Sequence, residues 1–158
     1  MQEYKLLVVD DEADFVRSLA ERLQTRKMKA EVALSGEEAL AKTSVDEPEV
    51  MVLDLKMPGL DGLEVLQRIK MAYPTTQVII LTGHSSLETK EQAEGLGAFA
   101  YLEKPVEIST LVRIVKQAHD QFLQIKKQVD AALMGMAMSS IACQPDMARN
   151  VMAEVKDE

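Results

Sequence analysis

Little in this chain suits an exported, membrane-spanning or nucleic-acid-bound protein. It has one cysteine, Cys143, in 158 residues, so no internal disulfide can form. A lone thiol fits a reducing compartment. No apolar run approaches the roughly 20 residues a membrane span needs. The start, Met1-Gln2-Glu3-Tyr4-Lys5, lacks a basic segment leading into a long apolar one. Basic charge is scarce: 18 Lys and Arg stand against 26 Asp and Glu, a net charge of −8. That balance argues against nucleic acid or an anionic membrane as a direct electrostatic partner. There is no internal repeat and no low-complexity tract. These absences lead to the expectation of a soluble, cytoplasmic protein of one domain with room for an extension.

What is present is a core and a pattern. Hydrophobic residues make up 47% of the chain, enough for a sizeable interior. The most informative stretch runs from Glu49 to Gly62. The apolar run Val50-Met51-Val52-Leu53 ends in Asp54, and Leu55-Lys56-Met57-Pro58-Gly59-Leu60-Asp61-Gly62 follows. A short apolar run bounded by turn signals predicts a strand buried on both faces of a parallel sheet. Asp54 then lies at the carboxyl end of that strand, where open α/β sheets place their ligands. Taken alone, Asp54 could equally cap the next helix.

The rest of the chain alternates in the same way. Tyr4–Val9 reads as a first strand ending in Asp10-Asp11-Glu12. Ala13–Arg26 reads as a helix with Phe15, Val16, Leu19, Ala20 and Leu23 on one face. Lys29–Leu34 is a second strand, and Ser35-Gly36-Glu37-Glu38 has the form of a capping box for a second helix. Asp61-Gly62 opens a third helix that stops at Tyr73-Pro74. Gln77–Leu81 is a fourth strand before Thr82-Gly83. Ser85 or Ser86 caps a fourth helix, Ala98–Leu102 is a fifth strand, and a fifth helix begins near Glu107. Strands alternating with helices predict a flavodoxin-like, doubly wound, five-stranded parallel sheet in the order 2-1-3-4-5, with helices on both faces. Neither Gly-x-Gly-x-x-Gly nor Gly-x-x-x-x-Gly-Lys follows the first strand, so nucleotide-binding versions of such sheets lose support.

Four strand ends carry a notable polar group: Asp10-Asp11, Asp54, Thr82 and Lys104. In a parallel sheet these ends share one edge, and neighbouring strands are about 4.8 Å apart. Clustered carboxylates need a cation, and a hard divalent ion such as Mg²⁺ takes oxygen ligands. Lys104 adds a mobile ammonium and Thr82 a hydroxyl. A metal, a lysine, a hydroxyl and Asp54 as oxygen nucleophile suit phosphoryl chemistry.

These residues resemble the receiver domain of two-component response regulators, the CheY-like family. The matching pieces are Val8-Val9-Asp10-Asp11-Glu12, Val52 to Gly62, Leu81-Thr82-Gly83, Gly97-Ala98-Phe99-Ala100-Tyr101 and Glu103-Lys104-Pro105, spread over residues 4 to about 118. The resemblance implies that Asp54 accepts a phosphoryl group from a histidine kinase or phosphotransfer protein. It implies that Asp10, Asp11, Asp54 and the backbone carbonyl of Lys56 hold Mg²⁺ or Mn²⁺, and that Lys104 contacts the phosphoryl group. Thr82 and Tyr101 would form the switch pair, altering the surface of the fourth helix, fifth strand and fifth helix. Lys56 and His84 sit where this family tunes phosphate lifetime; otherwise they are solvated loop residues. Asp14 reads as a first-turn acid. Pro105 resembles the family's cis-proline, although sequence does not show the isomer.

The receiver is expected over residues 1–118 and a helical extension over 119–158. No Gly or Pro interrupts residues 106–134. Leu111, Val115, Ala118, Phe122, Ile125, Val129, Ala132 and Met136 alternate steps of four and three, a heptad seam. A helix over 107–138 would be about 48 Å long at 1.5 Å per residue. The expectation is a homodimer through Phe122, Ile125, Val129 and Met136; folding back and docking on another protein are the alternatives. A short helix is expected from Asp146 to Val155. The chain reads as a stand-alone regulator acting through contacts with an unidentified output protein, with self-phosphotransfer and autodephosphorylation but no other turnover. The rivals are a receiver fragment of a longer transcriptional regulator and a small phosphatase using Asp54. The latter generally wants a second acid two residues on, where this chain has Lys56.

Overall fold

The computed structural model describes residues 3–142. The expected helix Asp146–Val155 lies outside the described residues, as does Cys143. The elements are β1 (Tyr4–Val9), α1 (Ala13–Gln24), β2 (Met28–Ala33), α2 (Gly36–Val45), β3 (Val50–Leu53), α3 (Gly62–Ala72), β4 (Gln77–Thr82), α4 (Leu87–Gly95), β5 (Ala100–Glu103) and α5 (Ile108–Ala142). The five strands are parallel in the order β2-β1-β3-β4-β5. This is the doubly wound, flavodoxin-like architecture that the alternation predicts.

The pleat divides the core in two. Leu6, Val8, Val50, Val52, Ile79 and Leu81 face α1 and α5. Leu7, Val9, Met51, Leu53, Val78 and Ile80 face α2, α3 and α4. Both faces of β3 and β4 are therefore covered, and every residue of these two strands is buried. That is why their sequences are continuous apolar runs rather than alternating ones.

Local chemistry fixes where the helices start. Asp61 accepts the Glu64 N–H at 3.0 Å and caps α3. Ser35 accepts the Glu38 N–H at 3.0 Å and caps α2. The return half of the expected capping box differs. The Glu38 carboxylate reaches the Leu34 N–H at 2.6 Å, one residue further back. That bond holds the Glu38 carboxyl below its ordinary value.

Gly62 lets the β3–α3 loop close. A Cβ there would lie 2.3 Å from the Asp54 carbonyl oxygen and 2.5 Å from Leu55 Cα. The collision is with backbone that carries Asp54. Gly62→Ala is expected to cost about 3 kcal/mol in urea unfolding. Gly83→Ala is the control, because its Cβ would meet nothing nearer than Lys104 Cδ at 3.8 Å; its cost should stay within about 0.5 kcal/mol. Equal midpoints for the two variants would refute this account of the loop.

Chain contacts divide the protein into a unit Met1–Leu123 and a second unit that begins at Gln124. The expected receiver boundary at 118 falls inside the first unit. Phe122, expected at the start of a dimer seam, is only 8% exposed and lies 6.0 Å from the His119 ring, centroid to centroid. Its side chain belongs to the first unit. A 4-3 spacing describes a helix covering its own domain as well as one covering a partner, so the pattern alone could not mark the changeover. His119 went unremarked in the sequence. It is buried on α5, with Nε2 2.9 Å from Glu49 Oε1 and its ring 4.4 Å from the Tyr4 ring. Glu49 Oε1 also accepts the Lys5 N–H at 3.0 Å. This cluster lies at the start of β1 and just before β3, at the sheet edge opposite Asp54.

Candidate functional site

The parallel register delivers Asp10, Asp54, Thr82 and Lys104 to one edge. Asp10 follows β1, Asp54 follows β3, Thr82 ends β4, and Lys104 follows β5. Carboxylate oxygens of Asp10, Asp11 and Asp54 all lie within 4.8 Å of one another. Asp10 and Asp54 are buried, and Asp11 is exposed.

Three like charges at this spacing repel, and one cation offsets them. Lys104 Nζ donates to Asp10 Oδ2 at 2.6 Å, and lies 3.5 Å from Glu12 Oε1 and 3.9 Å from Asp54 Oδ2. The same ammonium sits 4.2 Å from the centroid of the Phe15 ring. Burial pulls the Lys104 ammonium down, but the Asp10 bond and the charges of Asp10, Asp54 and Glu12 outweigh it, so the net shift is upward. Asp10 Oδ1 is separately fixed by the Glu12 N–H at 2.9 Å. The Lys104–Pro105 bond is cis.

Asp54 is less well served. Burial pushes its carboxyl up from the ordinary 3.8, and the Asp10 charge adds to the push. Lys104, the Thr82 hydroxyl and the Lys56 amide pull the other way without cancelling it. No hydrogen bond of good geometry reaches Asp54 Oδ1, which is buried. A buried carboxylate oxygen without a partner is costly unless something else completes it. An all-oxygen donor set with one such atom fits a hard divalent cation. The residues present therefore fit Mg²⁺.

Thr82 is fully buried, and its Oγ1 accepts the His84 N–H at 3.1 Å. Tyr101 is half-buried on β5 and pairs with Ile80 in the register, so it shares a sheet face with Ile80 and Thr82. Its hydroxyl lies 3.0 Å from Thr89 Oγ1 on α4. Lys56 and His84 are exposed and line one groove, together with Met57, Asp61 and Thr89.

Three neighbours of this site escaped the sequence. Phe15 was expected on the core face of α1. It is instead 36% exposed, with Lys104 over its ring. Glu12 was read only as part of an acidic run, yet it faces Lys104. Thr89 carried one available signal, its position three residues after Ser86, the spacing of a cap.

Residues 6–116 match the response regulator receiver domain family. The chain belongs to that family. Among curated relatives of this receiver, the DNA-binding transcriptional regulator NtrC of Proteus hauseri is 32% identical over 158 residues, taking in 99% of this chain and 30% of NtrC. NtrC of Escherichia coli K12 is 33% identical over 147 residues, or 93% of this chain and 31% of NtrC. The chain thus spans about 30% of the length of these relatives. Among solved structures, NtrX from Brucella abortus in complex with ATP superimposes with a TM-score of 0.73 at 31% identity, covering 80% of this chain and 29% of NtrX. A CheY-like receiver domain protein from Methanospirillum hungatei JF-1 gives 0.75 at 28% identity, covering 78% of this chain and 98% of that one. Among the described residues, no helix is long and apolar enough to cross a membrane.

Proposed function

We propose that this receiver is a phosphoryl-driven switch in which Asp54 Oδ1 takes the phosphoryl group from a phosphohistidine of a sensor kinase or phosphotransfer protein. The observation that carries the proposal is the buried, unpartnered Oδ1 in an acidic cluster with Lys104 beside it. Oδ1 attacks phosphorus, the P–N bond breaks, and its electron pair stays on the imidazole nitrogen, which is then free to take up a proton. The product is an acyl phosphate. Asp10, Asp11 and Asp54, with the main-chain carbonyl of Lys56, are the residues that would hold Mg²⁺ or Mn²⁺, whose charge offsets that of the phosphoryl oxygens.

Lys104 is placed to follow the charge. It is bonded to Asp10 at 2.6 Å and stands 3.9 Å from Asp54 Oδ2, so a small movement brings its ammonium to a phosphoryl oxygen. Thr82 accepts from His84 and keeps its own proton to donate. A phosphoryl group brings about −1.5 to −2 charges and strong acceptors, enough to draw both groups in. Tyr101 then moves into the space behind Thr82, and the surface of α4, β5 and α5 changes. Lys56 and His84, exposed beside the site, tune how fast water removes the phosphoryl group. Nothing here calls for turnover of an external substrate. The test is mass analysis after incubation with acetyl phosphate and Mg²⁺. One hydroxylamine-labile phosphoryl group is expected on the wild type and none on Asp54→Ala; labelling of Asp54→Ala would overturn the assignment.

The output is proposed to involve self-pairing of α5. From Gln124 onward, Val129 is 43% exposed and Met136 69%, with Leu133, Met134 and Met138 also exposed. Ile125, Val129, Ala132 and Met136 keep the heptad spacing, and an exposed apolar series of this kind favours burial against a second helix. Light scattering should show a dimer that Val129→Glu converts to a monomer. A wild type that stays monomeric with and without beryllofluoride and Mg²⁺ would refute self-pairing.

A second reading, the receiver portion of a longer, cytoplasmic transcriptional regulator, is favoured by the NtrC match running over 99% of this chain. Reading the gene past codon 158 decides it.

A further inference from the structure

Helix α4 is held by few side chains. Ala93 is its one fully buried residue, and Leu87 in its first turn is 72% exposed. Hydroxyl groups hold its N-terminal end instead. Ser86 Oγ accepts the Thr89 N–H at 3.1 Å, and the Ser86 N–H donates back to Thr89 Oγ1 at 3.1 Å, a reciprocal cap. Thr89 Oγ1 also lies 3.0 Å from the Ser86 carbonyl oxygen, 3.0 Å from Ser86 Oγ and 3.0 Å from the Tyr101 hydroxyl.

The proton count limits these contacts. A threonine hydroxyl has one proton and two lone pairs. The Ser86 N–H fills one lone pair, and the proton goes to the Ser86 carbonyl. One lone pair is left, and both the Ser86 hydroxyl and the Tyr101 hydroxyl approach it at 3.0 Å. Ser86 is exposed and can turn its proton to water, and Tyr101 O–H then donates to Thr89. One side chain thus joins the β5 tyrosine to the cap of α4.

We infer that Thr89 is a positioning residue of the switch, latching Tyr101 to the N-terminal cap of α4 in the unphosphorylated state. The inference rests on reading Thr82 and Tyr101 as the switch pair. Tyr101 has a single O–H proton. It cannot stay on Thr89 and also follow Thr82 inward, so the two arrangements exclude each other. When Tyr101 leaves, the cap hydroxyl loses a donor on a helix with little else to hold its first turn. The strength of this latch therefore sets how much of the switched state exists before phosphorylation.

The test uses the whole chain and backbone amide spectra of α4. Wild type with and without beryllofluoride and Mg²⁺ defines two end positions for the amides of Leu87, Glu88 and Lys90. Tyr101→Phe removes the latch donor and leaves the Ser86–Thr89 cap intact. Thr89→Val removes both, and Thr89→Ser restores the hydroxyl. Metal-free Tyr101→Phe and Thr89→Val are expected to shift toward the beryllofluoride position, with the switched population raised roughly 2-fold to 10-fold, the worth of one net hydrogen bond. Thr89→Ser should return to the wild-type position. If beryllofluoride moves the wild-type amides but both variants keep its resting position, the latch is refuted and the switch reading stands. If beryllofluoride leaves the wild-type amides in place, the switch reading fails and takes the latch with it.

Discussion

Replacing Asp54 with Asn is expected to abolish phosphoryl uptake and, without metal, to make the protein more stable rather than less. The first effect follows from the nucleophile: an amide oxygen cannot form the acyl phosphate at this site. The second follows from what the wild-type carboxylate endures. Burial and the Asp10 charge raise the Asp54 carboxyl above 3.8, and its Oδ1 has no hydrogen-bond partner. A group whose folded value is raised favours the fold in its protonated form. Its contribution is fully present below the unfolded value and is lost as pH rises through the folded one. At pH 7 the ionised Asp54 therefore stands at a cost. Asn has the same shape and no charge, so it removes the buried ionised group and its repulsion with Asp10. The desolvation penalty lifted is about 1–3 kcal/mol. For a protein of this size that is roughly 2–4 °C in melting temperature per kcal/mol. The advantage of Asp54→Asn should shrink as the pH is lowered toward 4 and wild-type Asp54 takes up its proton. Added Mg²⁺ should reverse the order. At a hundredfold excess over its dissociation constant a ligand stabilises by about 2.7 kcal/mol, and the variant, short of one ligand oxygen charge, should gain less. Scanning calorimetry of both proteins at several pH values, with and without Mg²⁺, reads all of this. A metal-free Asp54→Asn that melts below wild type at pH 7 would show that Asp54 is satisfied in a way the geometry does not reveal.

The same physics explains how much of this protein could be read in advance. Val50–Leu53 announced a doubly covered strand because a short apolar run bounded by turn signals suits a parallel strand buried on both faces, and the strand–helix alternation around it supports that reading. Topology did the rest: five parallel strands bring Asp10, Asp54, Thr82 and Lys104 to one edge whatever their rotamers. Side-chain pairings were beyond reach. That Lys104 rests on Asp10 at 2.6 Å rather than on Asp54 is decided by differences of an ångström in loop geometry. Glu38 bonding to Leu34 instead of Ser35 is a choice of the same kind. Phe15 fitted the apolar face of α1 by spacing, yet it lies at the rim, where its ring meets a cation. The limit was clearest on α5. Phe122 and Val129 occupy equivalent heptad places, but one is buried within the first unit and the other is exposed. A periodic pattern reports which face of a helix is apolar and is silent about what covers it.

Lys104→Met should be among the most damaging single changes near the site, and its damage should be of a particular kind. Met keeps the unbranched stem beside Phe15 and removes only the ammonium. Asp10 and Asp54, both buried, then face each other with no cation between them. Breaking a buried pair by deleting one partner costs about 3–5 kcal/mol. Lys104 is 15% exposed and Asp11 is open to solvent, so the lower end applies, about 3 kcal/mol metal-free. The pH dependence has a definite sign. The Lys104 ammonium is shifted upward, so its contribution is fully present below the unfolded value of 10.5 and is lost only as pH rises through the higher folded value. Between pH 6 and pH 9 the deficit of Lys104→Met should therefore be flat. It should close in acid, where protons replace the missing cation on the carboxylates. Mg²⁺ should recover part of it at neutral pH by the same replacement. Urea unfolding with and without Mg²⁺ measures each part, and a metal-free variant as stable as wild type would show that Lys104 does not offset the cluster. The functional consequence separates uptake from response. Asp54 is still present, so acetyl phosphate and Mg²⁺ should still label Lys104→Met. The group placed to follow the new charge is gone, so the amides of α4 should stay near their resting positions in the labelled protein. Full movement of α4 without Lys104 would mean that Thr82 alone carries the signal from the phosphoryl group to Tyr101.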